Sequence, residues 1–179
     1  MDLTKAIQNR HSVKKFNSKK PDWRDIIEAI DATRYAPTAG KNFILKFILV
    51  NNKELIEKIS IACEQDFIAK VHYLVVVCSN PSRLINAYGK YGEKYAEQQA
   101  GAAIQNFLLK IEELGLATCW VGYFIESKIK KILKIPNEIT IEAVLPIGYE
   151  FEKKYEKKVR IELDNILYFN EWEKKNYRT

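Results

Sequence analysis

Arginine, serine and lysine recur at every second position in Arg10-His11-Ser12-Val13-Lys14-Lys15-Phe16, just after a short apolar helical turn. In an extended chain, side chains two apart point the same way. Arg10, Ser12 and Lys14 then form one row of donors suited to a phosphate or another anionic oxygen group. Val13 points the other way, toward a core. A solvated basic edge has the same local pattern, so the row gains meaning only from its surroundings. A second cationic pair of the same period, Lys158 and Arg160, stands in Lys157-Lys158-Val159-Arg160.

Three further segments have the composition of ligand-facing loops. Ala36-Pro37-Thr38-Ala39-Gly40-Lys41-Asn42 is small, polar and turn-forming, able to bring backbone N–H groups close to a flat ligand or simply to connect a helix to a strand. In Thr118-Cys119-Trp120-Val121-Gly122 the glycine admits close approach to the backbone, while Trp120 suits a ligand face or plain core equally. Leu145-Pro146-Ile147-Gly148-Tyr149 ends an apolar run and turns sharply.

The elements that must position these residues can be read from hydropathy. Leu3, Ala6 and Ile7 form a helical stripe ahead of Arg10. The spacing predicts a helix over 22–35, with Asp22 near its start and Pro37 beyond its end. Phe43 to Val50 reads as a strand, a helix follows over 53–63, and Tyr73 to Cys78 reads as a strand covered on both faces. The longest helix is expected from about Glu93 to Leu114, its Ala96, Ala100 and Ala103 stripe permitting close helix packing in the core or at a dimer seam, with Gly115 as its cap. Leu116 to Phe124 is a buried strand or tight segment, Ser127 to Lys134 a short helix, Ile141 to Tyr149 a strand, and Val159 to Leu163 a last extended piece. Helices and strands mix without regular βα alternation, which argues for an α+β sheet with helices around it.

Composition narrows the function classes. The chain has 179 residues, 47% hydrophobic and 29% charged, which suits one globular domain spanning 1–179, with or without a dimer-forming arm. No stretch resembles a signal peptide or a membrane span, and the three spaced cysteines read as buried free thiols, so a cytoplasmic location is expected. With His11 and His72 alone and no CxxC or HExxH pattern, no metal site is expected. A net charge of +6 attracts nucleic acid, anionic membranes or phosphorylated small molecules. The lysines are dispersed and do not alternate with exposed aromatics, so a nucleic-acid platform ranks last.

In order along the chain, these segments resemble the FMN-dependent nitroreductase family. Arg10 to Phe16 is similar to its R-[RH]-S-x-[RK]-x-F opening, and Ala36-Pro37-Thr38-Ala39-Gly40 to its A-P-S-[AS]-G/N loop. Gln105-Asn106-Phe107-Leu108-Leu109 with Gly115-Leu116-Ala117-Thr118-Cys119-Trp120-Val121-Gly122 resembles its Q-N helix and G-L-G-T-x-W-hydrophobic-G segment. Leu145 to Tyr149, then Lys158 and Arg160, resembles its L-P-hydrophobic-G-Y strand and late basic residues. Two places depart. Lys41-Asn42-Phe43-Ile44-Leu45 replaces the usual N-x-Q-P-W, and Val71-His72 replaces an A-P pair.

The resemblance implies an α+β fold, a central mostly antiparallel sheet surrounded by helices, in an intertwined homodimer with FMN at the subunit interface. It implies that Arg10, Lys158 and Arg160 hold the FMN phosphate, with His11 in the same cofactor-binding stretch. Ser12 and Lys14 would reach the ribityl chain or the pyrimidine edge. Pro37, Thr38, Ala39 and Asn42 would come from the partner loop, and Trp120, Val121 and Gly122 would lie by the flavin N5 edge. No side chain is implied as catalytic, because the flavin is the reactive centre. The activity implied is ping-pong hydride transfer from NADH or NADPH to a small oxidant such as a nitroaromatic, quinone or enone. Alternatives within the fold are dehalogenation, cofactor biosynthesis, or a low-turnover flavin sensor or store. The tyrosines of Ala87 to Tyr95 are read as stacking on an aromatic substrate or packing against the following helix.

Overall fold

The computed structural model describes residues 2–152 and 161–175. Among them, Leu45–Val50 (β1), Tyr73–Ser79 (β2), Ala117–Thr118 (β3) and Thr140–Gly148 (β4) form one antiparallel sheet in the order β1-β2-β4-β3. Six α-helices surround it: Leu3–Asn9 (α1), Trp23–Ala32 (α2), Lys53–Cys63 (α3), Ser82–Tyr88 (α4), Gly92–Glu113 (α5) and Glu126–Leu133 (α6). The α+β expectation is met.

β2 is buried at every position because it has a strand on each side and helices on both faces. Its alternation divides the core. Leu74, Val76 and Cys78 join Val144 against Ile56 and Ile59 of α3 and Ile129 of α6. Val75 and Val77 join Ala143, Leu145 and Ile147 against Ile26 of α2 and Ile104, Phe107 and Ile111 of α5. Each fully buried side chain of this size contributes about 1.5–3 kcal/mol.

Helix ends follow the sequence signals. The Asp22 carboxylate accepts the Arg24 N–H at 2.9 Å, and Asn52 accepts that of Leu55 at 3.0 Å. The expected 22–35 helix is α2 followed by a 3-10 turn at Thr33–Tyr35. The segment 116–124 is a strand only at Ala117–Thr118. Pairing lapses over Cys119 and Trp120 and resumes as a single bridge between Val121 and Val144. The helix α4 was absent from the sequence reading, since seven residues with Leu84 alone buried leave no stripe to detect. Of the last expected extended piece, Val159 and Arg160 lie outside the described residues, and Leu163–Asn165 is a 3-10 turn. No helix among the described residues is long and apolar enough to cross a membrane.

Gly148 ends β4 where Phe16 lies against the sheet; a Cβ there would stand 2.8 Å from the Phe16 ring. Phe16 also bridges to Glu150 and stacks on Phe67 with centroids 6.4 Å apart. Gly148→Ala is therefore expected to lower the unfolding free energy by about 1–3 kcal/mol. A urea titration superimposable on wild type would contradict this docking.

Candidate functional site

Backbone hydrogen bonds stretch the 10–17 segment across the sheet end. The Val13 N–H donates to the Thr118 carbonyl at 3.0 Å, Asn17 N–H to the Tyr149 carbonyl at 2.9 Å, and Phe151 N–H to the Lys15 carbonyl at 3.0 Å. The segment is thus extended where the sequence predicts, with Val13 only 5% exposed and Ser12 and Lys14 open to solvent. The Cys119 thiol lies within the electrostatic reach of Lys14, Ser12 and Arg10, and its sulfur donates weakly to the Trp120 carbonyl at 3.9 Å. The Lys14 ammonium also lies 5.7 Å from the Phe67 ring centre.

Burial pushes the Cys119 thiol up, against the opposing influence of Lys14, Ser12 and Arg10. It therefore stays a neutral thiol at pH 7, a weak nucleophile. Burial alone pushes Cys63 up to about 12, and chiefly burial pushes Cys78 to about 11. All three cysteines are buried and free, as expected.

The odd-numbered residues face elsewhere. His11 Nδ1 lies 2.9 Å from the Asn9 carbonyl and Nε2 3.0 Å from the Glu150 carboxylate. Both partners are acceptors, so only the imidazolium satisfies them together. Burial opposes that charge, but the hydrogen bonds to Glu150 and Asn9, with the charges of Glu150 and Glu112, outweigh it. The His11 pKa is raised above 6.5. On this side a cavity of about 340 Å³ is lined by His11, Val13, Ile111, Thr118, Tyr149 and Glu150, with Arg10 at the junction of the two sides. The buried Thr118 hydroxyl has no hydrogen-bond partner among the described residues.

The 118–122 segment borders the row through Cys119. Val121 is buried and held by two backbone hydrogen bonds to Val144, at 3.1 and 3.0 Å. Trp120 is 40% exposed, and open space lies where a Gly122 side chain would be, so the backbone here can be approached directly. The 36–42 loop packs against the first half of α5. Its Asn42 carbonyl is bonded to Gln99 near the start of α5, whereas the cavity beside the row meets Ile111 near its end. At about 1.5 Å of rise per residue these points are about 18 Å apart along the helix. In the loop Pro37 is exposed, and Thr38, Ala39 and Asn42 are half-buried. Lys158 and Arg160 lie outside the described residues.

The Nitroreductase family profile matches residues 7–70 and 61–149. The chain belongs to the nitroreductase family. A protein of Archaeoglobus fulgidus, bearing the provisional name NADH dehydrogenase/NAD(P)H nitroreductase, is 28% identical over 172 residues, covering 92% of this chain and 96% of its own. A Methanothermobacter thermautotrophicus protein of the same provisional name is 31% identical over 160 residues, covering 85% and 79%. Among solved structures, a nitroreductase family protein of Clostridium novyi superposes with a TM-score of 0.78 at 26% identity, covering 97% and 96%.

Three residues in contact with the candidate segments gave no sequence signal. Glu150 meets His11 across 139 positions, Phe67 meets Lys14, and Gln99 reaches the 36–42 loop from another element. The Tyr88, Tyr91 and Tyr95 rings pack on one another, with centroids 5.2 Å apart for Tyr88–Tyr95 and 6.2 Å for Tyr91–Tyr95.

The raised His11 pKa has a defined sign. Protonated His11 stabilises the fold fully below its unfolded value of about 6.5, and that stabilisation is lost as pH rises through the higher folded value. The stability difference between wild type and Glu150→Gln is expected to be larger at pH 6 than at pH 9. An equal difference at both would show that His11 carries no charge in the pair.

Proposed function

We propose that the chain is an FMN-dependent oxidoreductase, working as a homodimer, that uses NADH or NADPH to reduce a small oxidant such as a nitroaromatic, quinone or enone. The observation that carries this reading is the extended 10–17 segment, pinned to the sheet end by backbone hydrogen bonds at Val13, Lys15 and Asn17 with Ser12 and Lys14 open to solvent, together with the openly approachable backbone at Gly122. The residues fit the cofactor. Two cations and a hydroxyl in one row match a polyanionic, polyhydroxylated chain, and the exposed Trp120–Gly122 backbone suits the edge of a flat ring. Similarity to the provisionally named NAD(P)H nitroreductases supports the electron donor. A fold neighbour from Clostridium difficile, named an FMN-dependent nitroreductase, superposes with a TM-score of 0.80 at 20% identity.

Bound FMN supplies hydride transfer in two half-reactions, one with the nicotinamide and one with the oxidant. The chain binds and orients. Arg10, with Lys158 and Arg160, would neutralise the FMN phosphate, and Ser12 would donate to its ribityl chain. Lys14 would supply a fixed positive charge to the bound group, stabilising negative charge that develops on it. No general acid stands in the row, so the proton for the oxidant comes from water or from the substrate.

The homodimer is supported by two features. Within one chain the 36–42 loop is bonded to Gln99, while the cavity beside the row meets α5 about three turns further on. Large apolar residues are also exposed: Leu3 on α1, and Ile161, Leu163 and Ile166 in the 161–175 segment. A Thermotoga neapolitana relative named iodotyrosine deiodinase, 23% identical over 178 residues, makes halogenated phenols the second substrate class to assay.

Purified protein loaded with FMN is expected to keep its visible flavin bands after desalting and to lose them anaerobically on addition of NADH or NADPH. Arg10→Ala is expected to weaken FMN binding about 10- to 100-fold, the cost of one charge-assisted contact. Bands that persist with both nicotinamides would assign storage or sensing. Unchanged affinity in Arg10→Ala would remove the row from the site.

A further inference from the structure

Gln99 is a polar side chain in the middle of an alanine-rich stripe of α5, only 3% exposed. Its Oε1 accepts the Ile44 N–H at 2.9 Å, and its Nε2 donates to the Asn42 carbonyl at 2.9 Å. These two backbone groups flank Phe43, and one primary amide satisfies both. From the other side of the segment, the Asn80 N–H donates to the Ile44 carbonyl at 3.2 Å. The entry to β1 is therefore clamped before the strand begins.

What precedes the clamp needs holding. Gly40 and Lys41 are consecutive left-handed residues, with φ of +57° and +60°. Lysine rarely adopts that conformation without support from its surroundings. The Tyr88 hydroxyl lies against Gly40, so closely that a Cβ at 40 would collide with it. Tyr88 is in turn set edge-on against Tyr95, which stands one turn before Gln99 on α5. Tyr88 at the end of α4, backed by Tyr95 of α5, and Gln99 of α5 thus hold the same loop.

We infer that Gln99 is a positioning residue of the flavin site. It fixes the backbone of residues 38–42 so that the loop of one subunit is preformed to meet the flavin held by the other. The inference rests on the proposed function and adds to it a control point on α5. Tyr88, Tyr91 and Tyr95 then serve the loop and not the substrate. Two positions carry the clamp, a hydrogen-bond acceptor toward Ile44 and a donor toward Asn42. A residue that keeps the acceptor but loses the donor on ionisation tests both.

The test compares the full chain with Gln99→Leu and Gln99→Glu, titrating FMN by flavin fluorescence quenching from pH 6 to 9, well below each protein's unfolding midpoint. Gln99→Leu is expected to bind FMN at least about 10-fold more weakly than wild type. Gln99→Glu is expected to match wild type at pH 6, where the buried carboxyl keeps its proton and donates to Asn42. It is expected to fall at least about 10-fold behind wild type by pH 9, where a carboxylate faces a carbonyl. A merely structural residue would move the unfolding midpoint and leave these affinities alone. Wild-type affinity in Gln99→Leu, or a Gln99→Glu to wild-type ratio that stays flat with pH, would overturn the inference. If Gln99→Leu does not fold, that ratio decides alone. Failure of the wild-type chain itself to bind FMN has a different signature and would overturn the functional reading together with the positioning role.

Discussion

Everything in the candidate site depends on the register of one extended segment against the end of the sheet. The hydrogen bonds from Val13 to Thr118, from Asn17 to Tyr149 and from Phe151 to Lys15 fix which side of the segment each residue faces. Because side chains alternate, a slip of one residue would exchange the two sides completely. Ser12 and Lys14 would then lose their solvent-facing side, and the charged pair His11–Glu150 would lose its place beside the α5 cavity. Val13 and Phe16 prevent the slip by burying apolar surface, Phe16 in the space left by Gly148. The binding row is thus a consequence of core packing immediately beneath it.

The helix α5 spaces the parts of the site. Its middle packs Ile104, Phe107 and Ile111 on the sheet, while its first half meets the 36–42 loop through Gln99 and its end meets the cavity beside the row. A rigid helix fixes where each set lies within the chain. The exposed apolar residues near both termini suit a subunit that completes its burial against a second copy.

Much of this was legible in the sequence because the signals were local. The two-residue period of Arg10, Ser12 and Lys14, the unbroken apolar run of β2, and the stripe of α5 each state their geometry within a few residues. Long-range partners left no such trace. Nothing near His11 announces Glu150, and nothing near Asn42 announces Gln99, since each pair is joined only by the folded topology. The brevity of β3 was hidden for a related reason. Leu116 to Val121 is apolar enough for a strand, but hydropathy does not reveal that pairing lapses at Cys119 and Trp120. The departure from N-x-Q-P-W after Gly40 has a physical counterpart here, for Asn42 and Ile44 offer their backbone groups to Gln99.

That the row and the loop meet across two copies of the chain is tested most directly by mixing two defective homodimers. One carries Arg10→Ala in the row, the other Thr38→Glu in the loop, and each alone should hold FMN poorly. After subunit exchange, a shared site predicts mixed dimers in which one site carries both lesions and the other carries neither. Such dimers should regain tight binding of one flavin per two chains. A mixture that binds no better than its parents would contradict the shared site and return the row and the loop to separate roles within each chain.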